Sequence, residues 1–138
     1  MSTLKGKRIF IVEDNLTNMA VFATALRREG AEIIQDSWNT GSVDLLIQNL
    51  PVDLIILDLM LRRGLSGYDT ITAVKAHPEL AHIPVVAISS LDAETEIPKA
   101  KEKGFIGFIS KPINLLQFPK QIAACIEGQE VWVTSHSR

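Results

Sequence analysis

Leu54-Ile55-Ile56-Leu57-Asp58 is the stretch on which the fold turns. Four apolar side chains in a row leave no polar face, so a strand formed by them is covered on both sides. That is the position of an inner strand in a parallel sheet with helices above and below, and the run stops at a carboxylate. Ile9-Phe10-Ile11-Val12 repeats the pattern and is closed by Glu13-Asp14-Asn15. Val85-Val86-Ala87-Ile88 repeats it again and leads into Ser89-Ser90, while a weaker strand around Gly107 to Ile109 runs into Lys111. Ala31 to Ile34 supplies the remaining strand-like run.

Helical spacing fills the intervals. Met19, Phe22, Ala23 and Leu26 mark a helix between Leu16 and Glu29, stopped by Gly30. Val43, Leu46, Ile47 and Leu50 mark a second, ended by Pro51. A third lies near Tyr68 to Ala76, after a loop with Gly64 and Gly67. A short fourth starts near Pro98, whose missing donor costs nothing in a first turn. The fifth spans Leu115 to Ile126, with Pro119 either marking its true start or bending it. Five strands alternating with five helices predict an α/β, three-layer sandwich around a five-stranded parallel sheet.

The 138 residues suit one domain, which at this size buries roughly two-thirds of its unfolded surface. A single cysteine, Cys125, excludes an internal disulfide and a multi-cysteine zinc site. Fourteen basic against sixteen acidic residues leave a formal charge of −2, which argues against a nucleic-acid surface. No apolar run approaches the roughly 20 residues of a membrane helix, and Met1 to Arg8 is polar and basic with no signal region behind it. A soluble cytoplasmic domain with no membrane insertion is expected.

In a parallel sheet the carboxyl ends of the strands open on one edge, where ligands bind. Glu13, Asp14, Asp58, Ser89 and Lys111 end the strands here. Taken singly, each has a plainer role: an Asp after a strand caps a helix, a lone lysine is solvated, and Ser-Ser reads as a loop. Those plain roles would have to coincide at four strand ends. Clustered carboxylates repel one another unless a cation neutralises them, and an all-oxygen set favours a hard ion such as Mg²⁺. Asp58 is the best-placed carboxylate to attack phosphorus, with Lys111 and Ser89 as partners for phosphoryl oxygens.

These residues resemble the response-regulator receiver domains of two-component signalling. Ile11-Val12-Glu13-Asp14-Asn15 is similar to the family's acidic pair and Leu57-Asp58 to its phosphoacceptor. Ala87-Ile88-Ser89-Ser90 is similar to its switch hydroxyl, and Phe108-Ile109-Ser110-Lys111-Pro112 to its aromatic switch and lysine–proline motif. The likeness covers residues 7–127. It implies a flavodoxin-like fold with sheet order 2-1-3-4-5. It implies Mg²⁺, or Mn²⁺ in its place, held by Asp14, Asp58 and the backbone carbonyl of Met60, with Glu13 acting partly through water. A sensor histidine kinase or phosphotransfer protein would donate to Asp58, Ser89 would move toward the phosphoryl group, and Phe108 would turn inward. The Lys111–Pro112 peptide is expected to be cis.

The same resemblance places the output on the fourth helix, fifth strand and fifth helix, a face for a downstream protein target or a homodimer. The expectation is a stand-alone, chemotaxis-regulator-like receiver over 1–127, with self-phosphorylation and self-dephosphorylation its only chemistry. Residues 128–138 form a tail whose Val131-Trp132-Val133 docks on the body or a partner, or frays.

Some residues depart from the family pattern. Leu61-Arg62-Arg63-Gly64-Leu65-Ser66-Gly67 lacks the usual proline and is one residue longer, and its arginines either attract phosphate or a kinase or are simply solvated. Ser89 replaces the commoner threonine, Phe108 stands for tyrosine, and Pro98 suggests a shortened fourth helix. A phosphorylation-independent interaction module is therefore the alternative. An enzyme is disfavoured. The first strand leads into no phosphate-cradling loop for flavin, and Met60 stands where an aspartate-dependent phosphatase needs its second Asp. His77, His82 and His136 read as surface or loop residues, Cys125 as core, and Trp38 and Trp132 as packing.

Overall fold

The computed structural model describes residues 4–36, 42–61 and 66–134. Strands β1 (Arg8–Val12), β2 (Glu32–Asp36), β3 (Leu54–Asp58), β4 (Val85–Ser89), β5 (Gly107–Ser110) and β6 (Val131–Val133) alternate with helices α1 (Leu16–Arg27), α2 (Asp44–Gln48), α3 (Gly67–Ala76), α4 (Ala93–Lys103) and α5 (Phe118–Ile126). All six strands are parallel, in the order β2-β1-β3-β4-β5-β6. This is the flavodoxin-like fold, with one strand more than the sequence predicts.

Every residue of β3 and of β4 is buried, as continuous apolarity requires of strands covered twice. Alternate side chains feed two cores. Phe10, Val12, Ile55, Leu57, Val85 and Ala87 meet α2, α3 and α4 through Leu46, Ile71, Val74 and Ala100. Ile9, Ile11, Leu54, Ile56, Val86 and Ile88 meet α1 and α5 through Phe22, Leu26, Phe118 and Ile122. Each fully buried aliphatic side chain contributes about 1.5–3 kcal/mol relative to exposure. The N-terminal ends of the strands are pinned at the edge opposite the strand-end carboxylates. The Arg8 amide donates to Asp53 Oδ2 at 2.8 Å, and its guanidinium donates to the carbonyls of Pro51 (2.7 Å) and Asn49 (2.8 Å) and pairs with Glu32.

One expectation is corrected. α4 does not start near Pro98. It starts at Ala93, because the Asp92 side chain accepts from the Thr95 amide, and it runs eleven residues with Pro98 inside it. Pro98 is exposed, so the Glu94 carbonyl that loses its helical donor lies toward water rather than in the core. Of the alternatives open to Val131-Trp132-Val133, it docks on the body: it forms β6, paired with β5 in the register Gly107–Val131, Phe108–Trp132 and Ile109–Val133. α5 is the crossover that a parallel β5–β6 pair needs. Of the two roles open to Pro119, it takes the start: α5 begins at Phe118 and Pro119 sits in its first turn. Trp38, Arg62, Arg63, Gly64, Leu65 and His136 lie outside the described residues.

Cys125 is fully buried among Ile122, Phe118 and the strands. Burial pushes its thiol up to about 12, so at pH 8 it stays protonated and shielded. A disulfide reagent is expected to leave the native protein essentially unlabelled over minutes and to label one thiol per chain once guanidinium unfolds it. Rapid native labelling would contradict the packing.

Candidate metal and phosphoacceptor site

The turn after β1 sorts its polar residues by role. The Asn15 side chain caps α1 by accepting from the Asn18 amide, so the capping role at this turn does not fall to either carboxylate. The Glu13 amide donates to the Asp36 carbonyl, fixing this turn on β2, and Glu13 Oε2 accepts from the Asn15 amide at 3.2 Å. Asp58 is the last residue of β3, and the Met60 amide donates to its Oδ1 at 2.9 Å. Lys111 follows β5, with its amide held by the Ser89 carbonyl at 2.9 Å. The Lys111–Pro112 peptide is cis.

Four strand-end residues therefore converge. One carboxylate oxygen each from Glu13, Asp14 and Asp58 lies within 4.8 Å of the others. The Lys111 ammonium donates to Glu13 Oε1 at 3.0 Å and to Asp58 Oδ2 at 3.1 Å. Glu13 is 1 % and Asp58 6 % exposed, so these charges interact with little water between them. Burial, and then the neighbouring Asp58 carboxylate, raise the Glu13 carboxyl above its ordinary range, while Lys111 pulls it back in part. Burial by itself would lower Lys111; the Asp58 and Glu13 carboxylates outweigh it and hold the ammonium above the usual lysine value.

The remaining sequence-identified residues sit around this cluster. The Ser89 hydroxyl is fully buried at the end of β4 and accepts from the Leu91 amide at 3.0 Å, so its hydrogen-bond partner is the following loop rather than the carboxylates. Phe108 is fully buried in the core beneath α3 and α4. Met60 pairs with Ser66 in an isolated antiparallel bridge, and its side chain is 57 % exposed.

Composition marks Gly67 only as a loop residue, but it shapes the site. A Cβ there would stand 2.7 Å from the Asp58 carbonyl oxygen and 3.0 Å from Leu59 Cα. Only hydrogen fits where the start of α3 comes back against the end of β3. A second glycine in a seven-residue loop carried no signal that separated it from Gly64.

Residues 9–123 match the model of the response regulator receiver domain. The chain belongs to the response regulator receiver family. A polar-differentiation response regulator DivK, from Brucella ovis, is 33 % identical over 116 residues, covering 84 % of this chain and 93 % of that protein. The structure of the phosphorylated cyanobacterial phytochrome response regulator RcpA matches with a TM-score of 0.70 at 30 % identity, covering 88 % of this receiver and 91 % of that chain. The chemotaxis response regulator CheY4 of Vibrio cholerae shares the fold with a TM-score of 0.77 at 17 % identity, covering 88 % and 99 %. Receivers are signalling domains and generally bind Mg²⁺ at an acidic pocket. No helix among the described residues is long and apolar enough to cross a membrane.

The donor set of this receiver fits such an ion. Three carboxylates face one ammonium, leaving excess negative charge on oxygen donors, the ligands a hard divalent cation prefers. Glu13, Asp14 and Asp58 are the residues that would hold it.

Lys111 is the fixed counter-charge of the cluster. Lys111→Ala leaves two buried carboxylates facing each other and is expected to cost about 3 kcal/mol in metal-free buffer, with millimolar Mg²⁺ restoring part of the loss. Urea unfolding with and without Mg²⁺ measures both numbers. Because the folded value of Lys111 is raised, its contribution is complete below 10.5, the ordinary lysine value, and is lost as pH rises through the folded value. Equal stability of the variant and the parent would show that the pairing carries no weight.

Proposed function

We propose that this receiver accepts a phosphoryl group on Asp58 from a sensor histidine kinase or a phosphotransfer protein, and thereby switches a protein-binding surface. The single observation that carries this reading is the placement of Asp58: a carboxylate at a strand end, 3.1 Å from an ammonium and within 4.8 Å of two further carboxylates. An Asp58 oxygen attacks phosphorus, the bond from phosphorus to the donor imidazole nitrogen breaks, and that nitrogen keeps the electron pair. With a small donor such as acetyl phosphate, acetate leaves instead. When bound, Mg²⁺ supplies electrophilic charge that offsets the added phosphoryl oxygens.

The chain's own groups have defined parts. Asp14 and Asp58, with the Met60 carbonyl, would hold the ion, and Glu13 would act partly through water. The Lys111 ammonium pairs with a phosphoryl oxygen in place of the unmodified Asp58 carboxylate. Ser89 exchanges its Leu91 partner for another phosphoryl oxygen. Phe108 lies on β5, the strand that Lys111 follows, and reports the change to the surface of α4, β5 and α5. That surface meets a downstream protein target or a second copy of the chain, in the cytoplasm. Self-phosphorylation and self-dephosphorylation are the only covalent chemistry.

Incubation with acetyl phosphate and Mg²⁺ is expected to add the mass of one phosphoryl group, mapped to Asp58 after borohydride trapping. Asp58→Asn is expected to take up none. Equal labelling of Asp58→Asn would refute the assignment. No labelling of the parent under any donor would favour an interaction module that works without phosphorylation.

A further inference from the structure

β5 and β6 place the active lysine and a tryptophan on one short lever. β5 has only four residues, and Lys111 follows it directly. Phe108, three residues before Lys111, is the register partner of Trp132, and both side chains lie against the core beneath α3 and α4. The Lys101 ammonium of α4 stands 5.0 Å from the centre of the Trp132 ring, while Trp132 Nε1 donates to Glu130 Oε1 at 3.0 Å. Val133 inserts into the opposite core. The fit against β5 is close: a Cβ on Gly107 would come within 2.5 Å of the Val131 carbonyl oxygen. β6 thus covers the edge that β5 would otherwise present between α4 and α5.

From this geometry we infer that β6 is a phosphorylation-sensitive latch on the β5 edge. It is docked while Lys111 pairs with the unmodified Asp58 and Glu13, and released when Asp58 carries a phosphoryl group. The inference rests on the proposed role of Asp58. Three features support it. A phosphoryl group adds charge and acceptor oxygens, so Lys111 must exchange partners. The strand that bears Lys111 is too short to isolate that exchange from Phe108, because packed cores shift between discrete arrangements rather than deform smoothly. β6 is the element least able to resist: three residues at the edge, with Val131 and Trp132 only half-buried. Its release uncovers the β5 edge beside Lys101.

Trp132 is itself the reporter. The chain has two tryptophans, and Trp38→Phe leaves Trp132 alone. In that background, Mg²⁺ with acetyl phosphate is expected to increase acrylamide quenching of Trp132 about twofold or more, toward the value for an exposed edge residue. Mass analysis of the same sample counts phosphorylated Asp58. Unchanged quenching in a sample shown to be phosphorylated overturns the latch and leaves the role of Asp58 standing. A sample that takes up no phosphoryl group overturns that role and the latch with it. Linkage supplies a second test that needs no tryptophan signal. Trp132→Ala, checked for native circular dichroism, weakens docking and is expected to tighten binding of beryllofluoride with Mg²⁺ about fivefold by calorimetry. Affinity equal to the parent's overturns the coupling.

Discussion

The Lys111 ammonium held between the carboxylates of Glu13 and Asp58 is the contact on which the rest of the molecule depends. Two carboxylates at 1 % and 6 % exposure repel strongly unless a cation stands between them. The fold supplies that cation from a strand 53 residues away from Asp58 in sequence. Because the arrangement still carries excess negative charge, with Asp14 as a third carboxylate, it remains receptive to a divalent ion. A group that alters the charge at Asp58 also alters what keeps β1, β3 and β5 aligned at this edge.

The sheet delivers these groups because it is parallel and covered on both faces. Strand interiors are apolar, so each polar residue is displaced to a strand end, and parallel pairing puts those ends on one side. The turns then assign separate tasks. Asn15 caps α1, the Met60 amide orients the Asp58 carboxylate, and Gly67 lets α3 return against the end of β3 without a steric conflict. Arg8 secures the opposite ends of the strands, so the sheet is anchored away from the edge that carries the acidic cluster.

How much of this was readable from residues alone follows the physics of each signal. Apolar runs closed by a charge located the ends of β1 and β3, and the ends of β4 and β5 followed from the same alternation, so the residues of the cluster were identifiable before any coordinates. α4 was misjudged because proline is usually a helix boundary; the Asp92 cap and the solvent-facing position of Pro98 override that preference. β6 was missed for a different reason. Three residues after a glycine carry too little periodicity to announce a strand, and what holds them is tertiary: the bare Gly107, the Phe108–Trp132 register and the Lys101 ammonium over the indole. Gly67 was visible only as loop composition, since its close approach to Asp58 exists only in the folded chain.

β6 lies where β5 would otherwise be open, and Gly67 lies where the start of α3 meets the end of β3 beside the acidic cluster. The central claim remains electrostatic: Glu13, Asp14 and Asp58 form one seat for a divalent cation beside a nucleophilic oxygen. Crystals grown with Mn²⁺ and measured near its absorption edge test it most directly. The account predicts one strong anomalous peak within about 2.5 Å of Asp14 and Asp58 oxygens. Saturating Mn²⁺ that gives no peak there, or gives its principal peak elsewhere on the molecule, would contradict it.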